Sequence, residues 1–315
     1  MRASQHNKSY KGRKAGESGD VSGTPYESTA TVSIISDTLS RIAPKGSFGF
    51  HEPREEVLIV SLADTILRRD QIECFETTGW AAAPGFFNAA ETARLRQFVR
   101  ELGDMPERSG AQMLYRENSL LDPSSRVLQR VEDFCPHHEG LDTLIRTGRL
   151  AGAVEELLGE EAVLFKDKIN YKESGGGAFE PHQDQQAGWS RYAPLFVTAL
   201  VSIDQATEEN GCLEIANTPR LTRLIGKEWQ PLAPEELRGL EFTSLPTEPG
   251  DVVFFDSFVV HRSQANLTPR GRRVLYVTYN RAVDGDHRQQ YYVDKRASFP
   301  PDIDRQPGVT YKYRV

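Results

Sequence analysis

The sequence predicts a mainly β domain, a sandwich or barrel with helices packed on its outside. Two observations carry this prediction. From about residue 162 onward the chain consists of short β-branched and aromatic runs separated by glycine, proline and asparagine turns, which is typical of antiparallel strands. Before that point, apolar residues recur at helical spacing in two segments. The 315 residues, 38% of them hydrophobic, are enough for one such domain with extensions.

The N-terminal part of the chain is predicted to lie outside this domain. Residues 1–35 are expected to form a disordered tail, because this stretch is rich in serine and glycine and its first part is basic and nearly free of apolar side chains. A mitochondrial-type presequence is the alternative interpretation of the tail. Residues 36–74 form an extension of undecided structure, since its apolar run at 57–71 fits a short strand or a helix. The main domain is assigned to residues 75–315.

The main domain is predicted to begin with an extended segment and two helices. The extended segment covers 75–87 and contains a Pro-Gly turn. A helix over 89–102 follows, since its apolar residues share one face and Asn88 is a suitable N-cap. A second helix is predicted over 141–158, ending at a glycine. The strands are predicted at 163–171, 195–203, 211–216, 251–261 and 272–280.

Composition excludes several classes of protein. The formal net charge is −7 and no block of lysine and arginine occurs, so a nucleic-acid surface is not expected. The three cysteines are far apart and form no CxxC motif, which argues against a disulfide framework or a thiolate zinc site. No apolar run is long enough to cross a bilayer. We therefore expect a cytoplasmic protein that acts on a small molecule, with no membrane or nucleic-acid partner and an oligomeric state left open.

A candidate metal site is formed by His182, Asp184 and His261. His182 and Asp184 make an H-x-D motif at the end of a predicted strand, where residues i and i+2 project to the same face. His261 closes the run DVVFFDSFVVH. Two histidines and one carboxylate can hold a non-haem iron and leave other coordination positions open. On its own, H-x-D is also the pattern of an ordinary hydrogen-bonded pair, so the hypothesis depends on the surrounding sequence.

The surrounding sequence carries five motifs in order between about residues 75 and 280: FETTGWAAAPGFFNAAETARLRQFV, PHQD, VSIDQATEENGCLEIA, PGDVVFFDSFVVHRS and NLTPRGRRVLYVTYN. Together they resemble the phytanoyl-CoA dioxygenase family of iron- and 2-oxoglutarate-dependent oxygenases. The resemblance implies a double-stranded β-helix, or jelly roll, with flanking helices. It also implies an Fe(II) centre held by His182, Asp184 and His261, with 2-oxoglutarate and O2 as co-substrates.

The resemblance further implies a site for the distal carboxylate of 2-oxoglutarate. Arg272 stands eleven residues after His261, where the family has the arginine that binds this carboxylate, and a guanidinium can donate two charge-assisted hydrogen bonds to it. Alternatively, Arg272 and its neighbours Arg270 and Arg273 form a solvated basic turn. Ser263 is expected to add a hydroxyl, unless its role is structural.

The candidate substrate residues lie on one strand and after the H-x-D motif. Lys166, Lys168, Asn170 and Lys172 alternate along the strand and share a face. If this face points into the barrel, it suits an anionic substrate or co-substrate, and Lys168 and Asn170 are our candidates; if it points outward, it is a solvated face. Gln185 and Trp189 are further candidates, although Trp189 can also pack beneath a lid.

These polar and aromatic residues are similar to the branch of the family that hydroxylates small zwitterions, including aminoalkylphosphonates. Two departures from the family pattern affect this prediction: residues 215–219 replace the usual Gly-Ser-His turn, and Leu200 stands where relatives often have tryptophan. The alternatives are an acyl-CoA or natural-product substrate, a non-catalytic metal- or ligand-binding jelly roll, and a zinc hydrolase or isomerase.

Overall fold

The central strands of the domain are buried on both faces, and this determines the architecture. In the computed structural model, which describes residues 65–311, one face of a large antiparallel sheet carries helices and the other faces a smaller sheet. This is the predicted double-stranded β-helix with flanking helices. The predicted tail at 1–35 lies outside the described residues. So do residues 57–64, the first part of the apolar run at 57–71 whose structure was left undecided.

The larger sheet has seven strands within residues 65–311, in the spatial order β1-β9-β6-β11-β4-β3-β2. All neighbouring strands are antiparallel. Every residue of β6 and β9 is buried, as expected for strands covered on both faces. The strands are β1 (Trp80–Ala83), β2 (Met113–Asn118), β3 (Arg126–Glu132), β4 (Ala162–Lys172), β6 (Val197–Ser202), β9 (Val252–Asp256) and β11 (Arg272–Arg281).

The smaller sheet has four short strands in the order β5-β10-β7-β8. They are β5 (Phe179–His182), β7 (Leu213–Ala216), β8 (Phe242–Leu245) and β10 (His261–Ser263). The strand predicted over 251–261 is therefore wrong in its extent, because it includes β9 of one sheet and the start of β10 in the other. The chain passes from the larger to the smaller sheet after Asp256, the last residue of β9. The Asp256 carboxylate supports this turn by accepting a hydrogen bond from the backbone N–H of Phe258 at 2.9 Å.

The first two helices flank the strand β1. α1 (Arg69–Thr78) ends at Gly79, whose φ of 83° lies in the left-handed region that glycine adopts easily. The prediction of an extended chain is thus wrong for 75–78 and confirmed for β1. α2 (Ala89–Asp104) confirms the predicted helix, and the Asn88 side chain accepts hydrogen bonds from two backbone N–H groups of its first turn.

The predicted helix at 141–158 is two helices, so that prediction is wrong in continuity. α3 (Glu139–Arg146) and α4 (Arg149–Leu158) are separated at Thr147 and Gly148. Gly148 has an extended backbone, and glycine is a poor helix former because it loses the most backbone freedom. These helices pack with α1 and α2 against the large sheet, in a core that includes Leu95, Leu150, Val201, Phe254 and Leu275.

A fifth helix, α5 (Arg288–Ser298), was not predicted and packs against β4. Its attachment is electrostatic as well as apolar. Arg288 forms ion pairs with Asp133, at 3.0 Å, and with the fully buried Asp167. Lys295 pairs with the buried Glu132 at 2.7 Å. These partners come from β3, β4 and the turn after β3, so α5 is held by residues distant in sequence.

Candidate metal centre

The smaller sheet brings the three predicted ligands together. His182 ends β5 and His261 begins β10, and the two residues are direct cross-strand partners. Their ring centroids are 4.3 Å apart. Asp184 follows in the 3-10 turn after β5. One ligand atom from each of the three residues lies within 4.8 Å of the others, which is close enough for one ion to contact all three.

Backbone carbonyl groups orient both imidazoles. Nδ1 of His182 lies 2.6 Å from the carbonyl oxygen of Glu180, and Nδ1 of His261 lies 3.0 Å from that of Val259. We assign the proton to Nδ1 in each ring, since a carbonyl can only accept. Nε2 is then left as the metal-binding atom of each histidine, and the hydrogen bond fixes the tautomer and the ring orientation.

The ionisation states of the three groups suit a divalent cation. Burial and the neighbouring His261 lower the pKa of His182 to about 3. Burial also lowers the pKa of His261. For Asp184, burial opposes ionisation, but the two imidazoles and Lys168 outweigh it and lower the pKa of the carboxyl. The result is two neutral imidazoles beside a carboxylate, which is the deprotonated state that metal binding requires.

A cavity of about 190 Å³ lies in front of these three groups. The polar face of β4 forms one of its walls, through Lys166, Lys168 and Asn170. Of the two interpretations left open by the sequence, the inward orientation is therefore the one observed. The buried Oδ1 of Asn170 has no hydrogen-bond partner within the described residues, so it is available to a ligand.

The two lysines of this wall have no carboxylate within 4.0 Å among residues 65–311. The ammonium group of Lys168 lies 4.5 Å from the centre of the Tyr276 ring, and that of Lys166 lies 5.3 Å from Trp189 and 5.7 Å from Tyr291. Burial, reinforced by the nearby Lys166, lowers the pKa of Lys168 to about 7. Lysines that form no ion pair in the wall of a cavity favour the binding of an anion there.

A second group of buried cations lies at the end of β4. Arg272 is 4% exposed and donates hydrogen bonds to the backbone carbonyls of Asn210, at 3.2 Å, and Gly211. Lys172 is its direct partner across the β4–β11 pair and donates to the hydroxyl of Ser263 at 2.7 Å. Ser263 lines the metal cavity, whereas Arg272 and Lys172 are not among the lining residues. Neither cation has an ion-pair partner within the described residues, so the pair suits a carboxylate ligand.

Of the remaining residues predicted to line the substrate site, some line the metal cavity and others do not. Trp189 lines the metal cavity and also a neighbouring cavity of about 670 Å³, and its buried Nε1 has no partner among the described residues. Gln185 does not line the metal cavity: its side-chain amide donates to the carbonyl of Ala193 at 3.2 Å. Leu200 lies in an apolar cluster with β7 and β9 rather than on the cavity wall.

The sequence analysis missed Tyr276 and Gln129, which line the cavity, and Thr198, whose hydroxyl lies 3.4 Å from Asp184. A signal for Tyr276 was present, because it stands four residues after Arg272 on a strand and so shares its face. Gln129 lies on β3, which was not predicted. Thr198 alternates correctly within β6 but carries no chemical signature of its own.

The helices between residues 65 and 311 are all too short or too polar to span a membrane.

Comparison with known proteins gives a family match and two close relatives. The phytanoyl-CoA dioxygenase (PhyH) family matches residues 75–274. The chain is 38% identical to 2-aminoethylphosphonate dioxygenase of an uncultured bacterium (HF130_AEPn_1), over 77% of this chain and 93% of the relative. It is 36% identical to methylphosphonate hydroxylase of Gimesia maris, over 75% of this chain and 89% of the relative.

Solved structures show the same fold. EctD from S. alaskensis, crystallised with 2-oxoglutarate and 5-hydroxyectoine, superposes with a TM-score of 0.60 at 23% identity and covers 70% of this chain and 79% of its own. The epimerase SnoN from nogalamycin biosynthesis, described as non-haem and α-ketoglutarate dependent, superposes with a TM-score of 0.54 at 22% identity, covering 78% and 91%.

Proposed function

The chain belongs to the phytanoyl-CoA dioxygenase family, and we propose that it hydroxylates a small aminoalkylphosphonate at its iron centre. The dioxygenase class follows from the family and from two relatives that cover most of the chain. The phosphonate is our proposal, supported by the relatives' substrates and by one observation in this chain. The buried Lys166 and the half-buried Lys168 line the same cavity as the His-Asp-His group, and neither forms an ion pair with a carboxylate among the described residues.

We assign the iron to His182, Asp184 and His261, and 2-oxoglutarate to the neighbouring cations. Iron with 2-oxoglutarate and O2 supplies the oxidising chemistry: one oxygen atom enters succinate as carbon dioxide is released, and the other enters the substrate as a hydroxyl. Arg272, Lys172 and Ser263 are assigned to the far carboxylate of 2-oxoglutarate. Asn170 is assigned to either the co-substrate or the substrate.

The protein's contribution is to bind and orient the phosphonate. A phosphonate dianion has three oxygens, which can accept hydrogen bonds from both lysines at once. Lys166 and Lys168 are two residues apart on β4 and line the same wall. They would hold the phosphonate so that the adjacent C–H bond points at the metal, while Trp189 and Tyr276 exclude water on either side.

The volume of the cavity argues against an acyl-CoA substrate. Its roughly 190 Å³ is below the 300–1,000 Å³ typical of drug-sized ligands. A small phosphonate fits this space, whereas an acyl chain with its coenzyme would have to extend into the neighbouring cavity of about 670 Å³, which shares Lys166, Ala187 and Trp189 with the metal cavity. The wall formed by β4 is also polar, through Lys166, Lys168 and Asn170, in contrast to the apolar lining that a fatty chain requires.

A second candidate substrate is a phosphonate without an amino group, such as methylphosphonate. The observation that favours it is the shortage of acidic groups: among residues 65–311, the cavity lining contains Glu180 as its only carboxylate apart from Asp184. An ammonium group would therefore have to bind at Glu180, which is exposed at the edge of the cavity. The two candidates differ in their dependence on this residue.

The test is succinate release by iron-loaded protein with 2-oxoglutarate and O2, in the presence of 2-aminoethylphosphonate or methylphosphonate. We expect a phosphonate to stimulate succinate release and to gain one hydroxyl, detected by mass spectrometry. Lys168→Met should abolish the stimulation, and Lys227→Met, at an exposed lysine, should not. Loss of activity in Glu180→Gln would identify the amino compound as the substrate. Release that no phosphonate stimulates would refute the proposal.

A further inference from the structure

A long segment between β7 and β8 lies beside the metal cavity. Residues 217–241 contain no helix or strand, and loops of this length without secondary structure usually have a function. Leu232 is the only buried side chain of the segment, and it packs in a small apolar cluster with Ala216, Val260 and half-buried leucine and isoleucine side chains of the same segment. Pro231 forms part of the metal-cavity wall, and Trp229 lines the neighbouring larger cavity.

Hydrogen bonds from the metal-ligand turn fix this segment. Gln183, between the two ligands His182 and Asp184, is fully buried. Its side-chain amide donates to the carbonyl of Arg223 at 3.1 Å, and its side-chain oxygen accepts from the N–H of Ile225 at 2.8 Å. The same amide donates to the carbonyl of Phe258, at 2.7 Å, in the stretch that leads to His261. One side chain thus joins the segment to both ligand-bearing strands.

Gln186 makes the second attachment, two residues after Asp184. It is also fully buried, and its side-chain amide donates to the carbonyls of Lys227, at 2.8 Å, and Gln230, at 3.0 Å. Its backbone carbonyl accepts from the N–H of Trp229 at 2.7 Å. The side-chain oxygen of Gln186 accepts from the N–H of Gln183 at 2.8 Å, so the two glutamines support each other.

Trp229 shows that the attachment holds a strained conformation. Its φ is 68°, a left-handed backbone that is unfavourable for a bulky residue. Its ring lies directly over Gly188, where an added Cβ would be 2.0 Å from a ring atom. Such strain persists only where the surrounding contacts enforce it. Here those contacts are the hydrogen bonds to Gln186 on both sides of Trp229.

We propose that Gln183 and Gln186 are positioning residues that lock residues 217–241 against the metal cavity and thereby couple co-substrate oxidation to substrate hydroxylation. The lock itself is independent of the substrate, whereas its effect on coupling rests on the proposed function. Because the glutamines flank Asp184, any movement of the segment is transmitted to the ligand turn. A released segment would withdraw Pro231 from the cavity wall and admit water beside the bound substrate.

Amide hydrogen exchange of the full chain, without metal or ligand, tests the lock. We expect the amides of Ile225, Trp229 and Leu232 to exchange about tenfold faster in Gln186→Met, which keeps the side-chain volume but loses both donors. Gln71→Met is the matched control, because Gln71 is also a buried glutamine whose amide donates to a backbone carbonyl, that of Ala82, outside residues 217–241. Gln186→Asn replaces Gln186→Met if the methionine variant does not fold.

The second readout is the ratio of succinate to hydroxylated product. We expect the ratio to rise several-fold in Gln186→Met and to stay at the wild-type value in Gln71→Met, although both variants lose stability. Unchanged exchange in residues 217–241 overturns the lock. Faster exchange with an unchanged ratio overturns the coupling. If the wild-type protein forms no hydroxylated phosphonate, the proposed function is refuted. The hydrogen-exchange test of the lock does not depend on the substrate and remains valid in that case.

Discussion

Replacing Lys168 with methionine should stabilise the protein while removing its activity. The pKa of this lysine is lowered from 10.5 to about 7 by burial. At about 1.4 kcal/mol per pKa unit, the difference sets an upper limit of roughly 5 kcal/mol on the cost of burying the ammonium group. The side chain is partly accessible from the cavity, which reduces this cost. We expect Lys168→Met to raise the free energy of unfolding by about 1–3 kcal/mol at neutral pH.

The pH dependence of this gain identifies its cause. An unfolded lysine keeps its proton up to about pH 10, whereas folded Lys168 loses it above about pH 7. Between these values the unfolded state binds more protons, so the stability contribution of the wild-type lysine rises with pH. The advantage of Lys168→Met should therefore be largest at or below neutral pH and shrink toward pH 10. Lys172 has a similarly lowered pKa, but it is present in both proteins, so its contribution does not affect the difference in their free energies of unfolding.

The measurement is urea unfolding of both proteins at about pH 6.5 and about pH 9.5, with Lys227→Met as the control for loss of a surface charge. Succinate release with a phosphonate substrate is measured on the same samples. A methionine variant that is less stable than wild type at the lower pH would show that Lys168 is not a buried, uncompensated cation. An advantage that does not change with pH would attribute the gain to apolar packing.

Four further predictions concern the site and the fold. Asp184→Ala should weaken Co(II) binding by at least about a hundredfold, measured by calorimetry, without loss of helical circular dichroism. Arg272→Lys should raise the KM for 2-oxoglutarate by about tenfold or more with a smaller change in kcat, because the forked donor is lost; an unchanged KM would place the carboxylate elsewhere. In urea unfolding, Asp167→Ala should cost about 3–5 kcal/mol, since it leaves the Arg288 guanidinium buried with one fewer partner, and Asn88→Ala about 1 kcal/mol through the lost N-cap.

The sequence predicted the elements whose signals are local. Asn88 followed by an apolar period specified α2, and the β-branched runs specified the central strands. α5 could not be predicted, because its segment RQQYYVDKRAS has little apolar periodicity and its attachment depends on ion pairs with Glu132, Asp133 and Asp167. The break between α3 and α4 was missed because both halves continue the same apolar spacing across Gly148.

In the candidate site, too, residues with a local sequence signal were predicted, and residues placed by distant contacts were not. The metal ligands were predicted because a motif places His182 and Asp184 close in sequence and the family places His261. Gln129 and Tyr276 were missed since their position depends on the register of β3 and β11 with β4. The role of Gln183 and Gln186 was also invisible, because their partners are backbone groups of a distant loop, and backbone hydrogen bonding leaves no residue preference in that loop.

The two walls of the cavity come from different sheets, and this has a consequence for how the enzyme can evolve. The two histidines of the candidate iron site lie on the smaller sheet, whereas the lysines and Asn170 lie on β4 of the larger one. A substitution on β4 can therefore change which molecule is recognised while the iron ligands and their backbone supports keep their places. Homologous enzymes can in this way keep the same reactive centre while they act on different substrates. Exchanging the β4 residues that face the cavity between relatives is the most direct way to change substrate specificity.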